Sequence, residues 1–204
     1  MQQTTGRGNQ TYHHGDLRAA LLDAAAQRIE SEGVEALSLR KLADDVGVSR
    51  SALYHHFRDK NALLNAVAAR GFEQWIAVSK ARANSVDMTP ADRLAQFVHG
   101  YIHWSASNPQ LYDLMFGRPI WKTGQADEQL KEIAFPAFHF MLNKITQWQQ
   151  EGILAQSMPA LRQTQVIWAT LHGLARLIID GVYADSEHID DMCNCAVAML
   201  LKHD

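Results

Sequence analysis

Cysteine is almost missing from this chain. Its 204 residues include two, Cys193 and Cys195, too few for a disulfide framework, so a reducing compartment such as the cytoplasm is expected. Two positions apart on a helix, the two thiols diverge and make a poor pair of metal ligands. No apolar run approaches the roughly 18 residues of a membrane span, and no signal-peptide pattern opens the chain, so neither membrane nor export is expected. A Gly-rich phosphate loop, a nucleophile elbow and an HExxH segment are all lacking, which leaves nothing to suggest an enzyme. Charge of one sign does not dominate either: 19 Lys and Arg stand against 22 Asp and Glu.

What is present is concentrated between Ser38 and Lys60. Leu39, Leu42, Ala43 and Val46 recur at helical spacing. Ser38 stands where it can cap that helix, and Gly47 stands where the chain must turn. Ser49 then opens a second short helix, 50–56, with Leu53 and Phe57 facing inward. Its outward residues, Arg50, Ser51, Ala52, Tyr54, His55 and His56, are small or hydrogen-bonding. Such a surface suits the roughly 12 Å major groove of DNA, with Arg50 at base edges. Tyr54 and Lys60 fall where phosphate oxygens would run, and Ser38, Arg40 and Ser49 border the same face. A plain solvated surface is the alternative for these polar residues. Residues 36–60 carry five basic and three acidic side chains. That small excess suits specific binding by a dimer better than a nonspecific coat.

The phrase LRKLADDVGVSRSALYHHFRDKNALL resembles the DNA-binding segment of the tetracycline-repressor (TetR) family of bacterial transcription regulators. The likeness rests on Leu42-Ala43, Gly47-Val48, Leu53-Tyr54, His56-Phe57, Lys60 and Leu63-Leu64. The segment YHHGDLRAALLDAAAQRIESEGVEALSLR upstream is similar to that family's arm and first helix. The resemblance implies a homodimeric regulator on a pseudo-palindromic double-stranded operator, with a C-terminal domain that senses a small molecule. It further implies that a long helix after the reading helix transmits the signal. Trp168, His172 and Gly173 are similar to a Trp…His-Gly pattern in one branch of the family.

Taken in order, residues 1–15 read as an arm, 16–60 as a three-helix helix-turn-helix domain and 61–204 as an all-α effector-binding and dimerisation domain. Arg7 in the arm reads first as solvated and second as a minor-groove contact. His13 and His14 stand equally for backbone contacts and for idle surface. Leu17, Ala20, Leu21, Ala24, Ala25 and Ile29 form the stripe of the first helix, ended by Gly33. Asp59 caps a helix over 60–83. Thr89, Pro90 and Asp92 begin one over 91–107, and Pro109 precedes one over 110–116. Gly117, Pro119 and Gly124 mark a loop. A helix over 126–151 contains Pro136, which should kink it. Helices over 159–184 and 187–202 follow.

Val166, Trp168, Ala169, Leu171, Leu174, Ala175, Leu177 and Ile178 leave the 159–184 helix little polar surface, so a second copy of the chain is expected against residues 159–202. Gly173 is expected to permit close helix approach. Phe97, Tyr101, Trp104, Tyr112, Met115, Phe116, Phe138, His139, Trp168 and His172 supply the expected wall of an apolar effector pocket. Each is also a reasonable core residue, and His172 reads first as a core histidine with its partners satisfied. Arg118, Arg176 and His139 are candidate partners for an anionic group. His99 and His103 share a helix face, as zinc pairs do. With no Cys, Asp or Glu near them in sequence, no metal and no cofactor are expected. The function expected is that of a ligand-released repressor; gating by a protein partner is the alternative.

Overall fold

The computed structural model describes residues 14–83, 88–121, 124–183 and 188–201, with helices and turns and no strand among them. Arg7 and His13, and the side chains of His14 and Arg118, lie outside the described residues. The chain divides into two compact units, Met1–Leu63 and Leu64–Asp204.

In the first unit, α1 (His14–Glu32) buries Leu17, Leu21, Leu22, Ala25 and Ile29. These lie along one stripe of a 3.6-residue helix, which is why the segment needs a partner surface. That surface comes from α2 (Leu39–Val46) and α3 (Arg50–His56), through Leu37, Leu42, Ala43, Leu53 and Phe57. Gly47 ends α2 with φ 73°, and its N–H reaches the carbonyls of Ala43 and Asp44. A side chain there would be strained even though the space is open. Ser49 caps α3, its Oγ accepting from the Ala52 N–H at 3.2 Å, worth about 1 kcal/mol. Ser38 occupies the equivalent position before α2 but makes no side-chain cap. Arg28 of α1 pairs with Asp45 of α2 and, at 3.3 Å, with Glu32, which holds the two helices at their polar edge.

The second unit takes up most of α4 (Lys60–Ala83), which starts where Asp59 accepts the Ala62 N–H at 2.7 Å. Leu64, Val67, Ala68, Phe72 and Trp75 line its buried side. Next, α5 (Pro90–Ser107) opens on a reciprocal cap between Thr89 and Asp92. It is followed by α6 (Pro109–Phe116) and by a short turn of helix, α7 (Arg118–Trp121), where the sequence suggested only a loop. The indole of Trp121 donates to the Met115 carbonyl at 2.5 Å and folds that turn back on α6. Asp127 caps α8 (Glu128–Gln150) through the Leu130 N–H, so this helix begins later than the apolar pattern implied. The helix continues through Pro136, whose ring is exposed.

Buried Gln149 then staples the turn into α9 (Ala160–Ile179), its amide reaching the Met158 carbonyl at 2.9 Å and Gln163 Oε1 at 2.8 Å. With Asp180 as its cap residue, α9 is shorter than expected. The last helix is α10 (Ile189–Leu200). Central to this unit is α5, packed by α9 and α10, while α8 packs on α9.

Candidate nucleic-acid interface and effector cavity

Packing of Leu53 and Phe57 fixes which side of α3 meets solvent. Arg40, Ser49, Arg50, Ser51, Tyr54 and His55 are exposed, and Ser38, Ala52 and His56 are partly so. Ser49 and Ser51 hydroxyls pair at 2.9 Å, and the rings of His55 and His56 meet edge-on at 5.7 Å. Several charges nearby are already engaged. Asp45 is neutralised by Arg28, Asp59 by its cap and by Arg58 at 3.3 Å, and Arg18 lies over the Phe57 ring. Arg28 thus offsets Asp45, whereas the Arg58–Asp59 pair cancels one charge of each sign. Lys60 differs from the expectation of a phosphate-facing ammonium: its Nζ donates to the Glu35 carbonyl at 3.4 Å. Met1–Gln10 could not be placed on this face, since they lie outside the described residues.

In the second unit, Phe72, Phe116, Trp121, Ala134, Phe135, Phe138, His139 and Trp168 line a half-open cavity of about 510 Å³. Phe116, Phe138 and Trp168 also wall a neighbouring one of about 380 Å³ with Gln165, Ala169 and His172. Of the pocket residues named from sequence, Phe116, Phe138, His139, Trp168 and His172 stand at these walls. Tyr101, Tyr112 and Met115 are core residues, almost fully buried, and Phe97 packs edge-on against Trp148. Trp104 lines neither cavity; its carbonyl accepts from Asn108 at 2.8 Å. Sequence reasoning passed over Phe72, Trp121 and Gln165 as wall residues, because inward periodicity does not separate a residue that fills space from one that borders it.

Two of the buried tyrosines nevertheless reach the cavity through hydrogen bonds. Trp168 Nε1 is 3.1 Å from Tyr101 Oη, Tyr101 Oη is 2.8 Å from Tyr112 Oη, and Tyr112 Oη is 2.6 Å from His172 Nδ1. An indole only donates, and each phenol has one proton. A chain in which Trp168 gives to Tyr101, Tyr101 to Tyr112 and Tyr112 to His172 satisfies every donor, with Ser105 as a further partner of Tyr112. Burial raises the Tyr101 phenol to about 12 and raises that of Tyr112 further, so both keep their protons. Burial also lowers His172, which favours the neutral ring that this chain requires.

Arg176 is not available to an anionic ligand, since it is held by Asp113 and, at 2.5 Å, by Asp180. A Cβ added at Gly173 would meet nothing within 4 Å among the described residues, so within one chain its expected close approach has no partner helix. Gly71 is the glycine that does allow close approach, because a Cβ there would lie 2.6 Å from Met115 Sδ. Cys193 is buried, with its thiol pushed up to about 11 by burial and then by the Asp190 charge, which is the opposite of a reactive thiolate. No helix among the described residues is long and apolar enough to cross a membrane.

On the flank of the unit, α9 and α10 border an apolar groove of about 510 Å³ lined by Val166, Leu174, Tyr183, Met192 and Met199 among others. Val166 is 65% exposed and Met199 78%, a large apolar presentation for a single chain.

Comparison with known proteins agrees with this architecture. The model for bacterial regulatory proteins of the tetR family matches residues 21–67, and that for tetracyclin repressor-like C-terminal domains matches residues 94–200, over half of the chain. A solved structure of a protein with unknown function from Rhodococcus sp. RHA1 is 30% identical, with a TM-score of 0.81 over 95% of this chain and 100% of that one. An uncharacterized HTH-type transcriptional regulator of Mycobacterium tuberculosis is 30% identical over 111 residues, 54% of this chain and 47% of its own length. The chain thus spans about half the length of such curated relatives. YobS of Bacillus subtilis, another uncharacterized HTH-type regulator, is 23% identical over 89% of each chain. Matched in both its units, the chain belongs to the TetR family of DNA-binding transcription regulators.

Proposed function

We propose that two copies of the chain occupy an operator through their α3 helices and release it when a neutral aromatic or otherwise hydrophobic molecule enters the cavity, so that the protein acts as a repressor. Arg50, with Ser51, Ala52, His55 and His56, reads or borders the bases; Tyr54 and Lys60 reach phosphate oxygens, and Ser38, Arg40 and Ser49 border the same face. The groove between α9 and α10 supports a second copy as the other half of the assembly. Pairing through residues 159–202 would carry the two reading helices to successive major grooves, about 34–36 Å apart.

The observation that carries the effector reading is the cavity wall, made almost wholly of rings on α4, α6, α7, α8 and α9. Drug-sized ligands favour such walls with a few placed polar groups. Phe72 belongs to α4, so a ligand seated there touches the helix that the chain enters directly after the helix-turn-helix segment. Coupling of about 1–3 kcal/mol between the two events is the usual scale for such a switch. His172, which accepts at Nδ1, holds its ring proton on Nε2 and so offers a donor, favouring a ligand with a carbonyl or ether oxygen.

The test begins with the genomic fragment that the full chain retains. Aromatic compounds are then screened for release of that fragment and for a raised melting temperature. Release by compounds that also stabilise the protein supports the reading. A protein that holds its operator unchanged across such a library is not governed by a small aromatic effector.

A further inference from the structure

Within the second unit, and apart from the cavity-lining residues, α5 and α10 bring together three ligating side chains. His99 and His103 lie one turn apart on α5, with their rings stacked at 6.1 Å. Asp190 of α10 sets a single carboxylate oxygen, Oδ1, 3.2 Å from His99 Nδ1 and 2.7 Å from His103 Nε2. The three ligating atoms all lie within 4.8 Å of one another. Sequence gave these histidines no acidic neighbour. The fold supplies one from 87 residues further along the chain.

A second observation concerns the far side of His99. Its Nε2 is 3.0 Å from Asn194 Oδ1, one turn along α10 from Asp190. An amide oxygen only accepts, so Nε2 carries the proton of the neutral ring. Nδ1 is then a bare lone pair directed at a carboxylate oxygen. Two lone pairs at that distance repel unless a cation stands between them. A metal ion does this for both histidines at once, whereas each proton serves one.

Zinc–nitrogen and zinc–oxygen bonds of about 2.0–2.2 Å in tetrahedral arrangement put neighbouring ligand atoms about 3.3 Å apart. The 3.2 Å from His99 to Asp190 matches this, whereas the 2.7 Å from His103 to Asp190 has to open slightly around an ion. Two imidazoles and one carboxylate suit zinc, cobalt, nickel or copper, not the all-oxygen shells of calcium and magnesium. Asn194 holds the His99 ring in its ligating tautomer, as second partners of metal-bound histidines commonly do. The Asp190 side chain is 68% exposed, so the site is open to solvent and to exchange.

We propose that His99, His103 and Asp190 bind a divalent transition ion of the zinc class, with water completing its shell and Asn194 orienting His99. The ion joins α5 to α10 on the side of α10 away from Met192, Cys195 and Met199, which line the apolar groove.

The test uses the full chain without a histidine tag, stripped of metal and dialysed against zinc, with cobalt as the spectroscopic probe. One ion per chain is expected, with visible cobalt absorption and a melting temperature about 5–10 °C higher at a hundredfold excess over Kd. His103→Gln and Asp190→Asn should each abolish all three signals, Asn194→Ala should weaken binding about 10–100-fold, and His188→Gln should leave it intact. All the altered side chains are at least partly exposed, so each variant can be checked for an unchanged metal-free melting temperature. Binding that survives both ligand variants, or a melting temperature that responds to pH and not to zinc, overturns the assignment.

Discussion

Arg50 and Lys60 are both basic and both near α3, yet they differ in surroundings. Arg50 is exposed at the start of the helix, while Lys60 donates to the Glu35 carbonyl. Replacing Arg50 by Ala should cost about 1–3 kcal/mol on the operator and much less on random duplex, measured by competition binding. Equal losses would assign Arg50 to phosphates. Lys60→Ala should weaken every sequence alike and reduce the salt slope by about one; no change in slope would leave Lys60 with its backbone contact alone. His172 has a folded pKa below its ordinary 6.5. Above 6.5 both folded and unfolded forms are neutral, and the protein has its full stability. As pH falls below 6.5 the unfolded form takes up the proton first, so stability declines towards the folded pKa. Melting curves between pH 7 and 5 should show that decline, and His172→Gln should flatten it. How far such residues can be read in advance depends on the kind of constraint. Ser38 and Ser49 occupy like positions in like patterns, but only Ser49 bonds, because a cap depends on the rotamer as well as the residue. The histidine pair on α5 shows one strong local spacing, whereas Asp190 carries no local sign of where it will end up.

At the scale of elements, α2, α3 and α4 were legible to within a residue. Their ends are written in local chemistry: Gly47, the Ser49 cap and the Asp59 cap. The start of α8 was less clear because a tertiary contact decides it. Buried Asn65 on α4 donates to the Gln125 carbonyl at 3.0 Å and accepts the Asp127 N–H at 2.9 Å, fastening the chain just where Asp127 caps α8. Asn65→Leu should therefore lower stability by about 1–3 kcal/mol, since it strands backbone groups that no longer meet a partner. Denaturant melts read this directly, and an unchanged midpoint would mean that water replaces both bonds. Gly71→Val should cost about 1–3 kcal/mol by forcing Met115 and Leu111 out of their places. It should also alter effector response, because α4 carries Phe72 one residue further on. The division of the aromatic residues between core and cavity was not legible. Periodicity marks Tyr101 and Phe138 alike as inward, and only the packing of five helices separates them.

For the whole molecule, the formal charge of −3 is compatible with DNA binding because only the face that meets phosphate has to be basic, and exposed charges elsewhere are screened within about 8–10 Å. The family likeness extends to both units, whereas the faces that would pair two chains are visible as exposure rather than as motif. Val166→Glu together with Met199→Glu should give monomers in sedimentation and lose operator binding while leaving the helical signal intact. Dimers that persist would move the interface elsewhere. The uncovered face of α9 and α10 has a consequence for gene dosage. If that face pairs two chains, the concentration of paired molecules rises as the square of their number wherever chains are scarce enough to separate, so halving expression would cut the occupancy of an unsaturated promoter about fourfold. That steeper dependence on copy number would come from mass action alone.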